Sequence, residues 1–132
     1  MVLIPKEVSG SADALEENMK KAVSEMLMLF ALNEQERYIG EITEELSRRN
    51  GGVFEIVCPY SAIYRLSDQE YIEERKKRIA PDGRRRQYYA ITKKGQIYLQ
   101  ELLERYALLT AGIQNIFSTS EGGFPNAAEH TE

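Results

Sequence analysis

The chain has 132 residues, 42% apolar and 29% charged, with 9 Gly, 4 Pro, one Cys, no Trp and a net charge of −4. That length supports a single domain with a true core, and the composition excludes wholesale disorder and collagen-like repeats. No apolar run approaches the ~20 residues a membrane span needs, and a lone Cys58, even with His130, is too little for a disulfide or a zinc site.

Met1 to Gly10 lacks the basic-then-apolar pattern of a secretory signal, so a cytoplasmic setting without a membrane partner is expected. Residues 1–12 read as a flexible lead-in. Ser11 or Asp13 can cap a first helix, with Glu16 and Glu17 in its opening turn. Leu15, Met19, Ala22, Val23, Met26, Leu27 and Phe30 recur at three- and four-residue steps, which carries the helix to about Leu32. Its second half is apolar nearly all round, and such a helix is expected to be buried on every side, either centrally in its own domain or at a subunit contact.

Asn33 to Glu36 is a polar break. A second helix runs from about Tyr38 to Arg49 on the stripe Ile39, Ile42, Leu46, and Asn50-Gly51-Gly52 ends it. Val53 to Val57 form an apolar link. Pro59 suits the first position of a third helix, which ends near Gln69. Two extended arms follow, Tyr71 to Ile79 and Gln87 to Ile91, joined by Ala80-Pro81-Asp82-Gly83, whose turn chemistry predicts a two-stranded hairpin. Thr92 can cap a last helix reaching Phe117, with Leu99, Leu102, Leu103, Tyr106, Leu109, Ile113, Ile116 and Phe117 on one broad face. From Ser118 the composition predicts a disordered tail, 118–132.

The order helix–helix–helix–hairpin–helix is that of a winged helix-turn-helix, mainly α with a small β-hairpin. Domain limits follow: a DNA-binding domain over 13–91, including the first helix, and a dimerisation helix over 92–117. The charge layout supports the reading. Tyr71 to Gly95 holds nine basic residues against three acidic ones, a local charge of +6, which leaves −10 for the rest of the chain. Exposed charges act mainly within a Debye length, ~8 Å at physiological salt, so a polyanion docked on the hairpin senses the basic segment first.

Particular residues then resemble the PadR family of bacterial transcriptional regulators. They are Ala62-Ile63-Tyr64-Arg65-Leu66, Tyr71-Ile72, Gly83-Arg84-Arg85-Arg86-Gln87-Tyr88-Tyr89 and Ile91-Thr92-Lys93-Lys94-Gly95. The likeness covers about Met26 to Tyr106, and the single helix after the hairpin matches the shorter of the family's two architectures. Glu70 stands where the family usually has Gly, Arg65 follows Tyr64 where Pro is usual, and the Trp of drug-binding members is absent. The resemblance implies a homodimeric repressor, paired through its first and last helices, on a near-palindromic double-stranded operator.

The third helix would enter the major groove with its N-terminal residues nearest the bases, which makes Tyr60, Ser61, Tyr64 and Arg65 the candidates. Tyr64 is assigned to phosphate, and Ser61 and Arg65 to the DNA-facing side. One of the two tyrosines is expected to pack inward with Ile63 and Leu66. Arg84, Arg85 and Arg86 stand at the hairpin tip, suited to a narrow minor groove. Lys93 and Lys94 open the last helix, where the dipole disfavours cations and a backbone phosphate would remove that penalty.

The two outer helices carry more apolar surface than one wing domain covers, which points to a two-fold dimer. A cleft between its halves near Tyr98, Tyr106 or Met side chains leaves room for a small-molecule effector, although core and interface roles are the simpler reading. No nucleophile–base pair, phosphate loop or cofactor motif is present, so an enzyme is not expected. The rival reading is a winged-helix module that binds protein through its acidic surface; three arginines at the hairpin tip favour DNA.

Overall fold

The computed structural model describes residues 10–120. Most of the expected flexible lead-in and tail lie outside them, but Ala12 and Ser118 are already helical. Helix α1 spans Ala12–Glu34, with Ser11 as its N-cap accepting from the Ala14 N–H at 3.0 Å. A short strand β1, Arg37–Tyr38, leads into α2, Ile39–Arg49, and α3 covers Tyr60–Asp68. The wing holds β2 (Ile72–Glu74), β3 (Arg78–Ile79), β4 (Arg85–Arg86) and β5 (Tyr88–Ile91). Helix α4, Lys93–Ser118, completes the order.

Residues up to Leu99 form one compact unit, and those from Gln100 a second. The core of the first is built from the inward faces of short elements: Met28, Leu29 and Leu32 of α1, Ile42 and Leu46 of α2, Ile63 and Leu66 of α3, Ile72 of β2 and Leu99 of α4. In the second unit, Tyr106, Leu108, Leu109, Ile113, Ile116 and Phe117 of α4 are all exposed.

Within the single chain the second half of α1 is left open at Phe30, which faces outward with the Arg49 guanidinium 5.8 Å from its ring centroid. Three expectations are corrected. Pro59 is the N-cap of α3, not its first helical residue, because its ψ of 149° is extended. An unexpected strand stands between the polar break and α2: β1 pairs antiparallel with β5, Arg37 opposite Tyr89 and Tyr38 opposite Tyr88. The predicted two-stranded hairpin is therefore a three-stranded sheet, β1-β5-β2, continued by a separate β3-β4 ladder at the tip. Gln87 marks the interruption, its side-chain amide donating to the Arg75 and Tyr88 carbonyls.

Strand β1 also closes α1. Helix α1 has no basic residue in its last turn, and the buried Arg37 supplies one from outside, donating Nε to the Ala31 carbonyl at 3.0 Å and Nη2 to Glu34 at 3.0 Å. A cation and a donor at this end offset both the helix dipole and an unsatisfied carbonyl.

The wing is held to the helices at one junction. The C-terminus of α3 closes as a Schellman turn, with Tyr71 N–H bonded to Leu66 O and Glu70 N–H to Ser67 O, both at 2.9 Å. This turn requires a left-handed residue, and Glu70 adopts φ 64°. Thr92 then ties the start of α4 to the same turn. Its hydroxyl donates to the Glu70 carbonyl at 2.6 Å and accepts from the Gly95 N–H at 3.0 Å, while its own N–H reaches the Tyr71 carbonyl at 3.0 Å. A Cβ on Gly95 would lie 2.1 Å from that Tyr71 carbonyl oxygen. The Thr-x-x-Gly run is thus explained by a cap and a close backbone approach.

Opposite stability effects are expected at the two positions. Gly95→Ala must push the Tyr71 peptide away and should cost at least about 2 kcal/mol, whereas Glu70→Gly should gain about 1 kcal/mol by relieving the left-handed strain. Thermal melts of both variants check this; a neutral Gly95→Ala would contradict the packing.

Candidate nucleic-acid interface

The three apolar residues Ala62, Ile63 and Leu66 fix which way α3 faces. They occupy its inward side, so positions 60, 61, 64 and 65 are turned to solvent and all four are exposed. The expectation that one tyrosine packs inward is corrected: Tyr60 is 65% and Tyr64 70% exposed. The two sit one turn apart on the same face, with ring centroids 6.5 Å apart, so burying either would require burying both. Ser61 and Arg65 lie on the side towards α1. They edge a groove of about 580 Å³ whose walls include Leu27, Phe54, Ile56 and Pro59. Arg65 is engaged there with Glu25 of α1, its Nε donating to Oε2 at 2.8 Å.

In the wing, ion pairs sort the cations into two groups. Glu36, just before β1, accepts from Arg78 at 3.0 Å and Arg75 at 3.1 Å, and Arg75 also pairs with Glu73. The Arg78 guanidinium lies 3.6 Å from the Tyr88 ring centroid. Arg86 pairs with Asp82 at 2.5 Å and stands 5.0 Å over the Tyr38 ring, and its Nε is buried without a hydrogen-bond partner. The three tip arginines are therefore not equivalent. Arg86 is folded against the sheet because strand alternation turns it towards Tyr38, while Arg84 and Arg85 stay exposed. Among the described residues, the side-chain cations of Lys76, Lys77, Arg84 and Arg85 form no ion pair with a carboxylate, although the Arg84 backbone N–H donates to Asp82 at 3.0 Å. Nothing in the sequence singles out Lys76 and Lys77, because a charge count does not separate paired from unpaired cations.

Lys93 and Lys94 are exposed in the first turn of α4 and line a shallow depression with Glu70, Glu73 and Glu74. The Lys94 ammonium lies 5.4 Å from the Tyr71 ring, which is itself stacked on Tyr98 at 4.0 Å. Tyr98 is thus committed to packing, whereas Tyr106 is exposed. Cys58 is half-buried; burial pushes its thiol up, against the opposing effect of a hydrogen bond with Thr43, so it is not poised as a thiolate.

An outward-facing third helix followed by a β-wing with unpaired cations defines a winged helix-turn-helix regulator. Residues 28–101 match the transcriptional regulator PadR-like family, and the chain belongs to that family, whose members are regulators rather than enzymes. The fold is similar to that of a PadR-like transcriptional regulator from Bacillus cereus, at TM-score 0.65 and 24% identity over 79% of this chain and 99% of that one. It is similar also to a transcriptional regulator from Clostridium thermocellum, at TM-score 0.64 and 25% identity over 80% of this chain and 95% of that one. An uncharacterised protein of Lysinibacillus sphaericus is 36% identical over 83 residues, 61% of this chain and 75% of the relative. Among the described residues no helix is long and apolar enough to cross a membrane, and no cluster of side chains suits a metal ion.

The Glu36 pairs make the wing acid-sensitive. Hydrogen bonding from Arg78, with the charge of Arg75, holds the Glu36 carboxyl below its ordinary value, and Arg86 with the Arg84 N–H does the same for Asp82. A depressed carboxylate contributes stability above its unfolded pKa, about 4, and loses it as pH falls through the lower folded value. Protection of the Arg75 and Ala80 amides against hydrogen exchange, measured relative to the intrinsic rate at each pH, should fall below about pH 4, since these amides bond across the wing to Tyr88 and Arg84. Glu36→Gln should quicken Arg75 exchange several-fold at neutral pH and weaken its pH dependence; unchanged exchange would contradict the pinning.

Proposed function

We propose that the chain is a homodimeric repressor that reads a near-palindromic operator with α3 and grips flanking DNA with the wing. The observation that carries this reading is the pairing of an outward polar face on α3 with four exposed wing cations whose side chains form no internal ion pair. Tyr60, Ser61, Tyr64 and Arg65 face the major groove, with Tyr64 on phosphate. Arg84 and Arg85 reach the backbone or the narrow minor groove from the tip, joined by Lys76 and Lys77. Arg86 belongs to the same wing but acts by holding its shape. Lys93 and Lys94 take a backbone phosphate at the start of α4.

Dimerisation through α1 and α4 is supported by exposed apolar side chains on both, Leu15 and Met19 on α1 and Leu109, Ile113 and Ile116 on α4. A two-fold axis would set the two copies of α3 about one DNA turn apart, ~34 Å. Release by a small-molecule effector fits the exposed ring of Tyr106 better than Tyr98, whose face is covered by Tyr71.

Fluorescence anisotropy on the DNA upstream of the chain's own coding sequence, against scrambled DNA across a salt series, tests the proposal. Arg84→Ala with Arg85→Ala should weaken binding and lower the salt slope of the dimer by about four units, roughly one for each phosphate that is no longer neutralised, two per protomer. Arg86→Ala should lower wing stability more than it lowers the slope. Absence of binding to either DNA at low salt would overturn the repressor reading in favour of a protein partner.

A further inference from the structure

Arg65 is the single guanidinium on α3, and it is already held. Its Nε and Nη2 donate to the two carboxylate oxygens of Glu25, a two-pronged pair that joins α3 to α1 across 40 residues of sequence. The Arg65 side chain is 55% exposed and that of Glu25 only 21%, so the guanidinium faces solvent from a partly sheltered carboxylate. A carboxylate offers this fork the same two acceptors that the guanine edge offers.

We propose that Glu25 determines specificity by competing with DNA for Arg65, releasing it to a base edge more readily than to phosphate. This rests on the reading of α3 as the DNA-reading helix. When Arg65 turns to DNA, the sheltered Glu25 carboxylate loses both donors. Lys21, one turn earlier on α1 and beside the same groove, supplies a point charge and not a fork, so it does not replace Arg65 in kind. A phosphate drawn to Arg65 also brings negative charge towards Glu25, whereas a guanine edge is neutral and satisfies both donors. Glu25 therefore penalises backbone contact more than base contact, a repulsive element set against the wrong partner.

Two duplexes test this: one selected from a random pool by the wild-type chain, and a scrambled one of equal composition. Glu25→Gln keeps the shape and removes the charge. It should tighten binding to the scrambled duplex about fivefold at low salt and steepen the salt slope of the dimer by about two units, one per protomer. The selected duplex should tighten as well, because the competition for Arg65 is relieved there too, but by clearly less, so the ratio between the two falls. In an Arg65→Ala background the same substitution should have no effect, and Glu25→Ala should reproduce the pattern if glutamine perturbs folding. Equal tightening on both duplexes, or the same tightening without Arg65, would reduce Glu25 to a general charge and overturn the proposal. Weaker binding to the selected duplex with the scrambled one unchanged would make Glu25 a positioning residue and overturn it equally. Wild-type protein that binds neither duplex would overturn the DNA reading itself, a result distinct from these.

Discussion

The peptide carbonyl of Tyr71 stands where a Cβ on residue 95 would have to go. Around that close approach the end of α3, the first strand of the wing and the first turn of α4 are fixed together. Thr92 completes the joint with a hydroxyl that donates to one turn and caps the other. The angle between the α3 face and the wing is set here, and the proposed DNA-binding surface made from both requires that angle to be rigid. Glu70 shows what the joint demands: it holds a left-handed conformation that costs a non-glycine residue about 1–2 kcal/mol, because the Schellman turn leaves its backbone no alternative.

Electrostatics divide the remaining work. A basic hairpin would repel itself if its cations were all free. Three of its arginines are instead neutralised at short range, Arg75 and Arg78 by Glu36 and Glu73 together and Arg86 by Asp82, and Arg78 and Arg86 also lie over tyrosine rings. The pinned arginines give the wing its shape. The unpinned cations, Lys76, Lys77, Arg84 and Arg85, give it a field that falls off within a Debye length, ~8 Å, and so acts on what is docked. The same logic recurs on α3, where Glu25 holds Arg65.

The element order, the caps at Ser11 and Thr92 and the wing turn were legible from sequence because each has a local cause: periodicity, a side-chain oxygen, a Pro-Asp-Gly run. Strand β1 was not. Two residues carry no alternation, and Arg37–Tyr38 becomes a strand only because β5 is there to pair with it. The burial of α3 was half legible: Ile63 and Leu66 point inward as expected, but Tyr60 and Tyr64 share one outward face. Which cations are free was illegible, since Glu36 and Arg78 are 42 residues apart and Glu25 and Arg65 are 40. Charge counts see neither partnership.

The central claim is that α3 and the unpinned wing cations form one DNA-binding surface, held at the Tyr71–Gly95 joint. Its most direct measurement is an NMR titration of isotope-labelled protein with a duplex selected from a random pool. The account predicts shifts concentrated on Tyr60, Ser61, Tyr64 and Arg65 together with Lys76, Lys77, Arg84 and Arg85, while the Gly95 and Thr92 signals stay protected and the Arg86 side chain keeps its place over Tyr38. Shifts spread over the acidic surface, or confined to the wing with α3 silent, would contradict it.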